Sequence, residues 1–128
     1  MEALERLVCS GLCSAQDGSS YKTELLGLAA TLNEREGRRR SEFFSALSDS
    51  TRVKILELLT IREMCGCEII VALGLSQPTV SHHVSILVRA GLLTYQKKSR
   101  WVFYSISKPG AVEALMRFAD EHLEGGRR

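Results

Sequence analysis

The sequence predicts a chain that is mainly α with a small β-hairpin. Three observations carry this. Apolar residues recur at helical spacing over most of the chain, the period changes to strict alternation over residues 93–106, and Gly, Pro and short polar residues punctuate the changes. The 128 residues allow one domain with one modest core. A composition of 45% hydrophobic and 25% charged residues suits an ordered chain rather than a disordered one.

Residues 1–20 contain Ser10, Gly11, Ser14, Gly18, Ser19 and Ser20 and two cysteines, so a mobile arm without its own core is expected there, with the folded domain over residues 21–128. Over residues 23–36, Leu25, Leu26, Leu28, Ala29 and Leu32 mark a helix that ends in the basic run Arg38, Arg39, Arg40. A short helix over residues 41–47 presents Phe43, Phe44 and Leu47. Asp49 or Ser50 then caps a helix through Val53, Ile55, Leu56, Leu58 and Leu59.

A further short helix over residues 67–73 is broken by Gly74. Ser76 is an N-cap for the next helix, and Pro78 falls in its first turn, where a missing N–H costs nothing. That helix carries Val80, Val84, Leu87 and Val88, and Gly91 stops it. Leu93, Tyr95 and Lys97 alternate, the turn Lys98, Ser99, Arg100 follows, and Val102, Tyr104 and Ile106 resume the alternation as a two-stranded hairpin. Pro109 opens a last helix with Val112, Leu115, Met116, Ala119 and Leu123 on one face.

Helix, short helix, glycine turn, longer helix and basic hairpin in this order predict a winged helix-turn-helix. In such a unit the second helix of the pair enters the major groove with its N-terminal residues at base edges. Here Gln77, Thr79, Ser81 and His82 offer short hydrogen-bonding groups, and glutamine suits a bidentate contact to adenine. Lys97, Lys98 and Arg100 at the hairpin tip supply charge for phosphates. Taken alone, residues 77–81 also fit a capped, solvated helix start, and the net charge of +2 is too small to identify a partner; the combination is what points to duplex DNA.

The stretches Ala46-Leu47-Ser48-Asp49-Ser50-Thr51-Arg52-Val53-Lys54-Ile55-Leu56, Leu75-Ser76-Gln77-Pro78-Thr79-Val80-Ser81-His82-His83-Val84 and Ala90-Gly91-Leu92-Leu93 resemble the ArsR/SmtB family over about residues 43–107. The resemblance implies a dimeric winged-helix repressor that leaves its operator when a metal or metalloid binds. It also implies that the helices at residues 23–36 and 109–124 form the dimer interface, and their leucine-rich faces need such a partner. His82 and His83 match a pair found across the family, read as DNA-contacting or packing residues.

Cys65 and Cys67 stand just before or at the start of the short helix, and Cys9 and Cys13 stand in the arm. Four thiolates form a soft ligand set that prefers Cd(II), Pb(II), Zn(II) or As(III) to Mg(II) or Ca(II). A helix N-terminus lowers a thiol pKa and readies it for such an ion. Cys65 and Cys67 also fit two small buried side chains, whereas an arm gives Cys9 and Cys13 no packing role. In the family, a Cys-x-Cys at this point marks thiolate sensors, and Glu63-Met64-Cys65-Gly66-Cys67-Glu68 is similar to the family's Glu-Leu-Cys-Val-Cys-Asp. The added arm pair is similar to the cadmium/lead branch, in which arm cysteines of one subunit join the Cys-x-Cys of the other. On that resemblance Cys9, Cys13, Cys65 and Cys67 are the metal ligands.

The family's second site, a zinc site on the C-terminal helices, lacks its first Asp-x-His pair here, so His122 reads as a surface residue. No run approaches the roughly 20 apolar residues of a membrane span, and the start of the chain does not read as a secretory signal. A cytoplasmic protein with reduced cysteines, no membrane partner and no organic cofactor is therefore expected. The rival reading is a thiol/disulfide redox-responsive DNA-binding regulator. A thiol-based metal-trafficking protein is disfavoured by the basic wing and the polar recognition helix. An enzyme is not expected, because phosphate-loop, metalloprotease and Cys-His signatures are missing.

Overall fold

A computed structural model describes residues 18–125. The elements are α1 (Gly18–Ala30), α2 (Glu34–Ala46), α3 (Ser50–Ile61), β1 (Met64–Cys65), α4 (Gly66–Leu73), α5 (Gln77–Arg89), β2 (Leu93–Lys98), β3 (Trp101–Ile106) and α6 (Pro109–Gly125). By internal contacts the chain falls into two compact units that meet between Arg40 and Ser41.

In the first unit, α1 takes in Gly18, Ser19 and Ser20, the last three residues of the expected arm. The helix expected over residues 23–36 is interrupted, and the separate short helix expected over residues 41–47 does not exist. Thr31 turns back on Leu28 through both its N–H (3.1 Å) and its hydroxyl (2.7 Å), which ends α1. The Asn33 side chain then accepts the Glu36 N–H at 3.1 Å, which starts α2 as an N-cap does. Arg38, Arg39 and Arg40 therefore lie inside α2, where Arg39 pairs with Glu36 at 3.3 Å. Helix α1 has no buried residue, and Leu26, Leu28 and Leu32 are 60%, 60% and 74% exposed.

The second unit holds the core, in which Ile55, Leu56, Ile69 and Leu87 are fully buried. Ala46, Leu59, Met64, Val80, Val84, Leu92, Leu93, Ile106 and Val112 pack with them, so every element from α3 onward contributes. Asp49 is the N-cap of α3 and accepts from the backbone of Thr51 and Arg52. The Arg52 N–H, first among several causes, holds its carboxyl below the usual carboxylate range. Gly74 closes α4 at φ 64°, a left-handed conformation that glycine adopts without a Cβ penalty. Ser76 caps α5, Pro78 lies in its first turn, and Gly91 ends the segment at φ 80°.

The sheet has three antiparallel strands in the order β1-β3-β2. The hairpin pairs Leu93 with Ile106 and Lys98 with Trp101, and Ser99 takes φ 58° in its two-residue turn. The third strand is an addition to the expected hairpin: Met64 pairs with Tyr104 and Cys65 with Phe103. Two residues are too few for an alternation to show in a sequence.

Candidate nucleic-acid interface and thiol site

Helix α5 turns Val80, Val84 and Leu87 into the core. Its opposite side leaves Gln77, Pro78, Ser81 and His82 exposed. Gln77 and Ser81, four residues apart, share one face. Thr79 is half-buried and partly committed to the cap: its hydroxyl meets Ser76 Oγ at 2.8 Å, and its N–H donates to the same oxygen at 3.3 Å. His83 faces the other way. Arg52 donates to His83 Nδ1 at 3.1 Å, to the Ala46 carbonyl at 2.8 Å and to the Ser45 carbonyl at 3.3 Å. A guanidinium only donates, so Nδ1 accepts and the ring proton lies on Nε2. Of the two histidines, His83 is thus the packing residue and His82 the solvent-facing one.

The three expected cations of the wing differ in their freedom. Lys97 and Arg100 are exposed, and Arg100 lies over the Trp101 ring at 5.4 Å. Lys98 is already engaged, pairing with Glu63 at 2.8 Å and lying 5.2 Å from the Phe103 ring centre. That pair fastens the wing to the segment leading into β1.

Cys65 is the N-cap residue of α4, buried and extended at φ −80°, ψ 165°; Cys67 stands two residues into the helix and is exposed. The Cys65 N–H donates to Glu68 Oε1 at 3.1 Å, while Arg62 holds Glu68 Oε2 at 2.5 Å. These bonds, the Arg62 one first, hold the Glu68 carboxyl at about 2. Glu68 is therefore occupied, and among the described residues no group of three or more His, Cys, Asp and Glu forms a site. The described chain supplies two thiols and no third donor. Cys9 and Cys13 lie outside the described residues.

Both thiols open onto a cleft of about 400 Å³ between α4, α5 and the wing. Ile70, Val80, Val84, Trp101, Val102 and Tyr104 form its apolar walls, and Gln77, Ser81 and Arg100 also line it. The sequence pointed to the thiols and to Gln77, Ser81 and Arg100, whereas Val80, Val84, Val102 and Tyr104 entered only as helix and hairpin positions, and no role was expected for Ile70, Trp101, Arg62, Glu68 or Arg52. One signal was legible for Glu68: a carboxylate three residues after an N-cap is the capping-box spacing.

Comparison with known proteins is consistent with this geometry. Residues 49–95 match the family model described as bacterial regulatory protein, arsR family. An HTH-type transcriptional regulator of Methanocaldococcus jannaschii is 40% identical over 84 residues, which is 65% of this chain and 93% of that one. The arsenical resistance operon repressor of Escherichia coli is 40% identical over 67 residues, 52% of this chain and 57% of its own. A CadC homolog of Staphylococcus aureus, a cadmium resistance regulatory protein, is 39% identical over 67 residues, 52% and 55% of the two chains. Among solved structures, a homodimeric winged helix-turn-helix DNA-binding domain from Mycobacterium bovis superposes with a TM-score of 0.65 at 25% identity, covering 73% of this chain and 93% of that one.

Proposed function

The chain belongs to the arsR family of bacterial regulatory proteins, and from that premise we propose that it is a transcriptional repressor which binds operator DNA as a homodimer and is released when a thiophilic ion binds its cysteines. As a family member it is a transcriptional regulator with a winged helix-turn-helix fold and not an enzyme. The finer reading concerns the operator, the dimer and the ion.

One observation carries it: Cys65 is at once the N-cap of α4, the helix that precedes the reading helix, and a partner of wing strand β3 through Phe103. A change of bonding at this thiol acts on both DNA-facing elements through backbone connections. Cys65 and Cys67 would hold the ion, and Cys9 and Cys13, which precede α1 in the sequence, would complete a four-thiolate set suited to Cd(II) or Pb(II), or part of it for As(III). Gln77, Ser81 and His82 would meet base edges, with Thr79 close to the backbone. Lys97 and Arg100 would grip phosphate, and Lys98 would do so at the cost of its Glu63 pair.

The exposed leucines of α1 and the exposed Phe118 (60%) and Leu123 (65%) of α6 support a homodimer. Half-sites recur every 34–36 Å or so along one face of a duplex, so a small shift of either reading head breaks the register. A coupling of about 1–3 kcal/mol then weakens operator binding by about 5–150-fold. Among the described residues no helix is long and apolar enough to cross a membrane. On this reading the protein works in the cytoplasm, where its operator lies and its thiols stay reduced.

Titrating the reduced protein on its upstream DNA with Cd(II), Pb(II), As(III) and Zn(II) tests the reading. At least one ion is expected to release the operator complex, and Cys65→Ser is expected to lose that response. Survival of the complex at saturating amounts of all four ions refutes the ion-release reading, and an unaltered response in Cys65→Ser refutes the ligand assignment.

A further inference from the structure

The cleft between α4, α5 and the wing has a chemistry of its own, apart from the thiols on one flank. Its volume of about 400 Å³ falls in the range of small-molecule pockets, roughly 300–1,000 Å³. Val80 and Val84, both buried, form its floor, and the rings of Trp101 and Tyr104 stand beside them. Three polar side chains line it, Gln77, Ser81 and Arg100, and each can donate a hydrogen bond. Arg100 lies over the Trp101 ring at 5.4 Å, which sets a cation beside the largest apolar wall. The acids that flank the thiols in the sequence are engaged elsewhere: Glu63 holds Lys98 and Glu68 holds Arg62. Among the described lining residues, Arg100 therefore sets the charge of the cleft.

We infer that this cleft is a binding site for a planar aromatic carboxylate, whose rings lie against Trp101, Tyr104 and Val84 and whose carboxylate is held by Arg100, with Gln77 and Ser81 donating beside it. A guanidinium fork matches a carboxylate in shape and charge. Flat aromatic walls favour a rigid ring over a flexible chain, because a ring loses no rotamer freedom on burial. No bond to either thiol is involved, so the occupant belongs to a different class from a thiophilic ion. The inference goes beyond the ion-release reading and shares with it only the assignment of Gln77, Ser81 and Arg100 to DNA. An occupant that takes those three groups denies them to a duplex, so ligand and operator exclude one another. Exclusion has its own signature: apparent operator affinity keeps falling as ligand rises, whereas an allosteric coupling levels off at a finite factor.

The test uses the full chain, reduced and metal-free, with naphthalene-2-carboxylate as the probe. Calorimetry is expected to show one equivalent bound per chain, with no saturable binding of acetate or inorganic phosphate at the same concentrations, because those anions bury no ring. Octanoate is expected to bind at least about tenfold more weakly. Arg100→Gln, at an exposed position, is expected to weaken naphthalene-2-carboxylate by about tenfold or more and to leave the neutral naphthalene-2-carboxamide unchanged. Cys67→Ser is expected to bind the probe as the wild type does. In operator titrations the apparent Kd is expected to rise in proportion to the probe, without levelling off.

Saturable binding of acetate or phosphate, equal affinity for octanoate, a carboxylate preference that survives Arg100→Gln, or loss of binding in Cys67→Ser overturns the inference. An operator Kd that levels off refutes mutual exclusion. The outcomes also separate the cleft from the ion-release reading. If inorganic ions release the operator while naphthalene-2-carboxylate does not bind, the cleft proposal alone falls. If the probe binds and competes as expected while no ion affects the operator, the cleft stands and the ion-release reading falls.

Discussion

Glu68 and Arg52 show how single side chains hold the reading head in place. Arg52 joins the end of α2 to α5 by donating to the Ala46 and Ser45 carbonyls and to His83 Nδ1. Removing it leaves those acceptors without their charged donor, more costly than an ordinary lost hydrogen bond. Glu68 fixes the backbone at Cys65 while paired to Arg62, and its carboxyl is lowered from 4.5 to about 2. The folded value lies below the ordinary one, so its contribution to stability is complete above about 4.5 and is lost as the pH falls toward 2. Thermal melts of the wild type and Glu68→Gln are expected to differ by a constant amount near neutral pH. The gap should narrow steadily below about pH 4.5; a gap that stays constant into acid would show that the carboxylate is not paired in the fold.

At the scale of elements, α4 and α5 form the helix pair, and the turn between them is a matter of backbone conformation. Gly74 has φ 64°, and a Cβ built there meets no heavy atom within 4 Å. Gly74→Ala therefore carries only the left-handed backbone penalty, about 1 kcal/mol, with no steric addition. Chemical denaturation is expected to show that loss with an unchanged m-value; a loss of several kcal/mol would mean the turn is more tightly packed than it looks. Losing the Ser76 cap belongs to the same class, because Ser76 Oγ satisfies the otherwise orphaned N–H of Thr79. These features were legible in the sequence, since caps and glycine turns depend on residues within about four positions. The break at residues 31–33 was not read, because the leucine spacing continues across it while Asn33 restarts the helix from the side. Strand β1 was hidden for a different reason: its identity comes from pairing with residues about forty positions away.

For the whole molecule, the exposed apolar faces matter most. Leu26 is 60% exposed on a helix with no buried residue, so Leu26→Glu changes the surface of a single chain and not its core. If a second copy covers that face, Leu26→Glu is expected to shift the protein from dimer to monomer in sedimentation with its helical circular dichroism intact. Operator affinity is expected to fall by about tenfold or more as the two half-sites are no longer read together. A variant that still sediments as a dimer would remove α1 from the interface.

The sequence by itself determined where the helices from α3 onward and the two strands of the hairpin start and stop, which of their residues are apolar, and that Cys65 and Cys67 precede a polar reading helix. Those properties follow from periodicity and capping, which act along a few residues of chain. Only the tertiary structure decided that Cys65 is joined to the wing, that Lys98 is held by Glu63, and that two thiols share one cleft with Trp101 and Tyr104. Each of these brings together residues about 35 or more positions apart, and such pairings are set by how the core closes rather than by any spacing along the chain.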